Sequence, residues 1–266
     1  ATTRAARSNR SDAPGAVGWL VGEENKGLAC MFTMMNNARL AIGIQGVAVA
    51  EAAYQKARAY AEERRQGRAP GYSGGGMSPI VGHPDVRRNL VTMKALTQAA
   101  RAICYSCAHA LDMARATEGE ERRHWQDRAG LLTPLAKAFS TDIGVEVASI
   151  GVQVHGGMGF IEETGAAGFY RDARIAPIYE GTNGIQSIDL VMRKLPLAGG
   201  EHVHAYIDEL RGEVEALRAS NLPGFGHTAG HLERALGELE EATRFLQRAQ
   251  ADGRVSEALA GATPYL

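Results

Sequence analysis

Apolar residues recur at helical spacing along most of this chain. From Leu28 to about Arg65 they fall three or four positions apart, and the run ends in the charged segment EERRQGR, a pattern that predicts one long helix. Gly43 and Gly46 lie inside this run, where each costs about 1 kcal/mol relative to alanine if the helix is exposed. We therefore expect a close neighbour beside them, either another helix or a bound ligand.

Two more long helices are predicted downstream. Pro84 suits the first position of a helix that extends to about Thr117. The charged segment EGEERRHWQD then forms a turn, and Pro134 places the start of the next helix near Thr133. We expect that helix to end at the glycine pair of HGGMGF, where a glycine cap is the default interpretation.

The remaining pattern completes an all-α protein. An irregular segment, 157–180, precedes a shorter helix at about 183–194, and the helices so far predict an antiparallel bundle of the four-helix type. LPLAGG is then a linker to amphipathic helices at 201–219 and 229–251. We expect three parts, with the bundle at 27–195 between an N-terminal segment, 1–26, and the start of an additional helical domain, 196–266.

The first 26 residues differ from this pattern. Residues 1–15 are polar and rich in Ser, Asn, Asp, Pro and Gly, which is typical of a loop. The following AVGWLVG alternates small and apolar residues and predicts a strand near Trp19–Val21 that ends at Gly22. One strand cannot form a sheet alone, so its partners would lie outside this chain or in another one.

Composition narrows the function without identifying it. The 266 residues carry 29 Lys+Arg and 30 Asp+Glu, so no net charge favours nucleic acid or an anionic membrane. No uninterrupted apolar run is long enough for a membrane span, and the first residues lack the apolar segment of a secretory signal. Three cysteines are typical of a reducing compartment. We expect a cytoplasmic protein that acts on a small molecule or contacts another protein.

Two pairs of residues have a spacing that could bind a metal. Cys104 and Cys107 spell C-x-x-C, but they lie inside a predicted helix without a second pair, which favours two core residues over a redox or zinc site. His227 and His231 stand four positions apart but lack the glutamate of H-E-x-x-H and a third ligand. We therefore predict no metal site.

Two glycine-rich segments could cradle a phosphate. SGGGMS at 73–78 and HGGMGF at 155–160 have the small residues for it, but neither has the preceding strand and following helix of a dinucleotide-binding turn, or the Lys-Ser/Thr pair of a P-loop. A flexible loop and a helix cap are the simpler explanations.

Glu180 is the candidate that the residues alone leave open. In APIYEGTNG it follows apolar residues and precedes small ones, so we expect an irregular backbone and a side chain in a partly dry cavity. Burial raises the pKa of a carboxyl group and its basicity, which suits removal of a proton next to a carbonyl. A glutamate at a helix start, stabilised by the helix dipole, explains the pattern equally well.

Four segments, taken in order, resemble the acyl-CoA dehydrogenase family. YEGTNGIQ is similar to the segment with the catalytic base, QVHGGMGF to a flavin-contact motif, YAEERRQGR to a Tyr-Ala-x-Glu-Arg segment, and RDARI to the Arg-Asp stretch before the base. Their order and spacing agree over about residues 17–195. The resemblance implies the C-terminal helical domain of the family, preceded by a remnant of its middle β-domain near Trp19–Val21.

The resemblance also implies FAD-dependent oxidation of an acyl-CoA thioester to the 2,3-enoyl-CoA. Glu180 then removes the α-proton while the flavin accepts the β-hydride, and hydrogen bonds to the thioester oxygen make that proton acidic. The electrons pass to an electron-transfer flavoprotein. The alternative is a helical oligomerisation or interaction module of the same fold without catalysis, and a homodimer or homotetramer is expected under either.

Position by position, the resemblance implies two further groups of residues. The cofactor-binding group, of which Arg64 and residues 153–157 would face the flavin of a neighbouring subunit, consists of Arg64, Gln153, Gly156, Gly157, Thr182, Asn183 and Gly184. The substrate-binding group consists of Asn36, Arg39, Tyr179 and Gly181.

The sequence departs from the family pattern at a few positions. RRQGRAPG has no phenylalanine where many members have one near adenine, Asn36 stands for aspartate, and Gly184 stands for glutamine. The loop 68–82 and the helical tail after Leu195 are similar to a long-form branch that includes 3-methylmercaptopropionyl-CoA dehydrogenase-like enzymes. Because other domains of the family supply most flavin-ring contacts, we expect this chain to be a fragment that binds FAD poorly and is inactive alone.

Overall fold

The computed structural model describes residues 18–220 and 222–266, without the side chains of Phe32, Thr33 and Asn36. The predicted loop at 1–15 and the side-chain contact predicted for Asn36 therefore lie outside the described residues. The chain divides into two compact units, 1–38 and 39–266.

Helices dominate the described residues, so the prediction of an all-α protein is confirmed. They are α1 (Gly27–Glu63), α2 (Pro84–Ala116), α3 (Gly119–His155), α4 (Gly157–Phe160), α5 (Ala166–Ala173), α6 (Asn183–Asp189), α7 (Glu201–Ser220), α8 (Thr228–Ala251) and α9 (Val255–Tyr265). A short π-helical turn, Leu190–Lys194, continues α6. None of the described helices is long and apolar enough to span a membrane.

The strand predicted near Trp19–Val21 is wrong for the described residues. Residues 18–26 form coil and turn, and Trp19 and Val21 are 70% and 93% exposed. A strand needs a neighbour to complete its backbone hydrogen bonds. The described residues contain no strand that could provide one, and their β-type pairing is an isolated bridge between Arg65 and Pro79.

Helix α3 begins fourteen residues before the predicted start at Thr133, since it includes the charged segment 119–128. Glutamate, arginine and glutamine are good helix formers, and this segment is also held from outside. Arg128 donates two hydrogen bonds to Glu209 of α7, at 3.2 and 2.6 Å, and its guanidinium lies over the Tyr206 ring. Pro134 therefore lies inside the helix, where its missing N–H is tolerated.

Glycines bring α1 against α3, as the helix alternative predicted. A Cβ atom on Gly43 would lie 2.3 Å from the carbonyl oxygen of Ala136, and one on Gly46 would lie 2.3 Å from that of Ser140. Contact positions increase together along both helices, so α1 and α3 run parallel. Only residues without a side chain permit this backbone approach.

Helix α2 runs antiparallel to both and completes the core with small side chains. Cys104 contacts Ser140 at 3.3 Å and Cys107 contacts Thr133 at 3.6 Å. Both thiols are free and buried, and burial raises the pKa of Cys107 to about 11. The interpretation of the C-x-x-C pair as core residues is therefore confirmed.

The C-terminal helices form a second hydrophobic cluster. Leu190, Leu195, Ile207 and Leu246 are buried in it, and α9 closes it from the other side. The hydroxyls of Thr243 and Tyr265 lie 2.7 Å apart and fix α9 on α8. Because α9 also contacts α6, this cluster supports the segment that carries Glu180.

Candidate active site

Glu180 lies in a tight loop between α5 and α6. The backbone N–H of Asn183 donates to the carbonyl of Pro177 at 3.0 Å and closes residues 177–183 into a ring. Inside this ring Glu180 and Gly181 both have positive φ, 56° and 83°. A left-handed conformation costs energy for a residue other than glycine and is typical of sites where function holds the backbone in place.

The residues beside Glu180 are fixed on both sides. The Tyr179 hydroxyl donates a hydrogen bond to Gln45 of α1. Gly181 has a φ of 83°, which favours glycine, and a Cβ atom there would also lie 2.9 Å from Nε2 of the buried Gln186. Glu180 itself is half-buried, and its carboxylate has no hydrogen bond or ion pair with the described residues. It is therefore free to take a proton from a ligand.

Asn183 docks the ring on α3. The two N–H groups of its Nδ2 face three acceptors, namely Asp142 Oδ1 at 2.8 Å, Thr141 Oγ1 at 3.0 Å and the Ala138 carbonyl oxygen at 3.1 Å. Its Oδ1 accepts a hydrogen bond from Nζ of Lys137 at 2.8 Å. The whole amide thus faces the protein, so a contact of Asn183 with a cofactor would have to use its backbone.

Lys137 is fully buried under this loop. The pKa of its amino group is lowered to about 8, mainly by burial and also by Arg39, against the opposing effects of Asp142 and Glu180. Burial likewise raises the pKa of Asp142. The amino group is still largely protonated at neutral pH, so a positive charge lies beneath the loop with Glu180.

Arg39 and Asp189 form a buried ion pair at 3.2 Å, and Arg193 also binds Asp189. The guanidinium of Arg39 is close to Gly181, since a Cβ atom there would lie 3.9 Å from Nη2. Two buried atoms of this group, Arg39 Nε and Gln186 Oε1, lack a hydrogen-bond partner among the described residues. Two polar atoms without a hydrogen-bond partner among the described residues therefore lie beneath the loop.

Thr182 and Gly184 line an open groove beside the loop. The Thr182 hydroxyl caps α6 by accepting from the N–H of Ile185 at 3.4 Å. The groove has a volume of about 790 Å³, and Arg174 and Thr263 of α9 contribute to its walls. The structure thus brings the predicted residues 182–184 to one surface.

Arg64, Gln153 and Gly156 line a second groove of about 380 Å³. The backbone of Gly156 is left-handed (φ 62°) where α3 ends, as the glycine-cap interpretation predicted, and the space beside Gly156 and Gly157 is open. No residue lines both grooves. The predicted cofactor residues therefore fall into two separate groups.

The Arg64 guanidinium is exposed and has no hydrogen bond or ion pair among the described residues. The next two arginines differ, because Arg65 donates to Tyr72 and Met77 and Arg68 donates to Gly74 within the loop. His155 stacks on Tyr60 at 4.4 Å, and burial lowers the pKa of its imidazole. This groove offers an unpaired cation beside a neutral aromatic wall.

The sequence reasoning missed Lys137, Gln186 and Asp189. A signal for Lys137 was present, because LLTPLAKAFST places one lysine in an apolar run with a threonine four positions later, on the same helical face. The described residues contain no group of three or more His, Cys, Asp or Glu side chains that could hold a metal.

The fold and the loop define a helical-bundle domain that presents the Glu180 carboxylate on a closed loop. Residues 25–195 match the family model described as acyl-CoA dehydrogenase, C-terminal domain. This chain therefore belongs to the acyl-CoA dehydrogenase family.

Two curated relatives support this membership. A 3-methylmercaptopropionyl-CoA dehydrogenase of Ruegeria pomeroyi is 46% identical over 94% of this chain and 42% of its own length. A butyryl-CoA dehydrogenase of Syntrophomonas wolfei is 37% identical over 73% of this chain and 33% of its own length. The chain thus spans less than half the length of these relatives. Among solved structures, Caenorhabditis elegans ACDH-11 in complex with C11-CoA has the same fold, with a TM-score of 0.71 at 22% identity over 90% of this chain and 38% of that one.

Proposed function

We propose that this chain is the part of a larger FAD-dependent acyl-CoA dehydrogenase that carries the catalytic base. The observation that supports this most is Glu180, a half-buried carboxylate without a partner among the described residues, held in a left-handed conformation by a closed loop. Such a group can accept the α-proton of a thioester without first breaking another contact. The relatives' length supports the idea that further domains complete the site.

The residues present are compatible with FAD. Arg64 offers a permanent, forked cation that suits a pyrophosphate, and Gly156 and Gly157 leave open space for close approach. When bound, FAD supplies the hydride acceptor. Residues 182–184 would then hold the flavin of the same chain, while Arg64 and Gln153 would hold that of a neighbouring subunit. A homo-oligomer and an electron-transfer flavoprotein as acceptor complete this proposal.

The proposed substrate is an acyl-CoA thioester with hydrogens on both α and β carbons. Glu180 removes the α-proton, Gly181 leaves room beside it, and Tyr179 is held by Gln45 so that its ring forms a fixed wall. The relative from Ruegeria pomeroyi is named for 3-methylmercaptopropionyl-CoA, which makes a short acyl chain with a thioether the first compound to test.

The test uses the full-length protein purified with FAD and mixed anaerobically with acyl-CoA. Loss of the visible absorption of oxidised flavin is expected with 3-methylmercaptopropionyl-CoA or butyryl-CoA. Acetyl-CoA is the matched control, because it has an α-proton but no β-carbon to oxidise. An unchanged flavin spectrum with a series of acyl-CoA lengths would contradict the proposal and favour a non-catalytic interaction module.

The isolated 266-residue chain is expected to retain little FAD. Its described residues provide the two grooves, but both are open and share no lining residue. Flavin per polypeptide is measured by absorbance after desalting, with the full-length protein as the comparison. A stoichiometric yellow complex of this chain alone would show that the expectation is wrong.

A further inference from the structure

Lys137 is a buried cation to which the proposed function assigns no role. Its side chain is completely inaccessible, and burying an ammonium group costs free energy unless the group gains something from it. The amino group donates to Asn183 Oδ1 at 2.8 Å, and no carboxylate of the described residues lies within ion-pair distance of it. Stability alone therefore gives no reason for a lysine at this position.

The partner of Lys137 is the residue that holds the loop in place. Asn183 closes the ring 177–183 through its backbone N–H and docks that ring on α3 through its side-chain N–H groups, which face three acceptors of that helix. The acceptors that face Nδ2 and a donor aimed at Oδ1 together fix the orientation of the Asn183 amide. Lys137 provides that donor from below, with Thr141 Oγ1 as a longer contact at 3.3 Å.

The charged groups around Lys137 come from three elements. Arg39 lies on α1, Asp142 lies one turn along α3, and Glu180 lies in the loop above. Arg39 is neutralised by Asp189, and Asp142 is bound by Asn183. Asp142 interacts most strongly with the Lys137 charge and Glu180 less so, but Glu180 is the one of the two without a hydrogen-bond partner among the described residues.

We propose that Lys137 is a positioning residue for Glu180: its buried ammonium group orients the Asn183 amide and thereby holds the ring 177–183 where the Glu180 carboxylate meets the α-carbon of the substrate. This inference rests on the proposed function. It predicts a role in the rate of proton removal rather than in binding, because Lys137 is separated from any substrate by the loop itself.

The test compares Lys137→Met with Lys94→Met in the full-length flavin-loaded enzyme. Lys94 is an exposed lysine of α2 and serves as the matched control. Lys137→Met is expected to lower kcat by about tenfold or more with KM within about twofold, since a small displacement of a reacting group has an effect of this size. An α-deuterated acyl-CoA should show a larger isotope effect with Lys137→Met than with the unsubstituted enzyme. Lys94→Met should change none of these values.

The variant Asn183→Ala provides a second, independent test of the proposal. If Lys137 acts through Asn183, the double variant should be no slower than the slower single variant, because both remove the same contact. Flavin content and thermal midpoint of Lys137→Met should stay near those of the unsubstituted enzyme, since methionine is an apolar side chain of similar length and Asn183 keeps its acceptors on Ala138 and Asp142. A purely structural lysine would instead lower the midpoint or the flavin content in proportion to activity.

Several results would overturn the inference. They are an unchanged kcat for Lys137→Met, a loss of activity matched by loss of flavin, or effects of the two single variants that multiply in the double variant. If Lys137→Met does not fold, Lys137→Gln and Asn183→Ala test the inference in its place. An unchanged kcat for Asn183→Ala would then overturn the inference. Failure of the unsubstituted enzyme to reduce its flavin is a distinct result, which overturns the proposed function as well.

Discussion

Replacing Glu180 with glutamine is expected to slow flavin reduction by acyl-CoA by about 10²- to 10⁴-fold, the usual contribution of a general base. Glutamine has the same size as glutamate but cannot accept the α-proton. The loop should be kept, because Glu180 makes no hydrogen bond among the described residues that the amide would break. Rapid mixing without oxygen measures this rate directly, and KM is expected to change little.

Glu163→Gln is the matched control for this substitution. Glu163 is an exposed glutamate of the segment before α5, and the same change there removes one charge without touching the loop. Glu180→Asp adds a graded case, because it keeps the carboxylate but shortens its reach. Equal rates of flavin reduction in Glu180→Gln and Glu163→Gln would exclude Glu180 as the base.

Gly46→Ala is expected to destabilise the protein by about 1–3 kcal/mol or more, the usual cost of forcing extra atoms into a packed core. The added methyl group would lie 2.3 Å from the Ser140 carbonyl oxygen and 2.9 Å from the Thr141 Cα. These are backbone atoms and cannot rotate away, so α1 and α3 must separate. Urea unfolding followed by circular dichroism measures the change in free energy.

Gly237→Ala in α8 is the control for the glycine prediction. Nothing lies within 4 Å of a Cβ atom at Gly237, so alanine there should stabilise the helix by about 0.5–1 kcal/mol through its better helix propensity. The two substitutions add the same methyl group in opposite surroundings. If both variants were equally stable, the close approach of α1 and α3 would not exist in solution.

Much of the helical fold could be predicted because its signals are local. The periodic apolar residues and Pro84 gave α2, and the glycines at 156 and 157 gave the end of α3. The start of α3 was wrong, because its charged first turns are held by Glu209 on α7, a contact 81 residues away. The strand near Trp19 was wrong because pairing partners cannot be read from one segment.

The setting of Glu180 could be predicted only in part for the same reason. Irregular backbone was expected from the small residues after it, and the structure has it. The polar contacts beneath Glu180 could not be expected from the sequence. Lys137 and Asn183 are 46 residues apart in the chain, and Arg39 and Asp189 are 150 residues apart. Pairings of this range depend on how α1 and α3 pack, and the sequence alone specifies that packing only through Gly43 and Gly46.

Helix α3 lines both grooves, at two different positions along its length. Asp142 borders the groove beside Glu180, and Gln153 borders the groove with Arg64; along a helix these positions are about 16 Å apart, at 1.5 Å per residue. Under the proposed function each chain then contributes two incomplete cofactor sites and no complete one. The amount of flavin-loaded enzyme would then depend on the concentration of the oligomer, not on that of the single chain. A substitution at Arg64 would impair flavin binding in the neighbouring subunit while leaving Glu180 of its own chain intact.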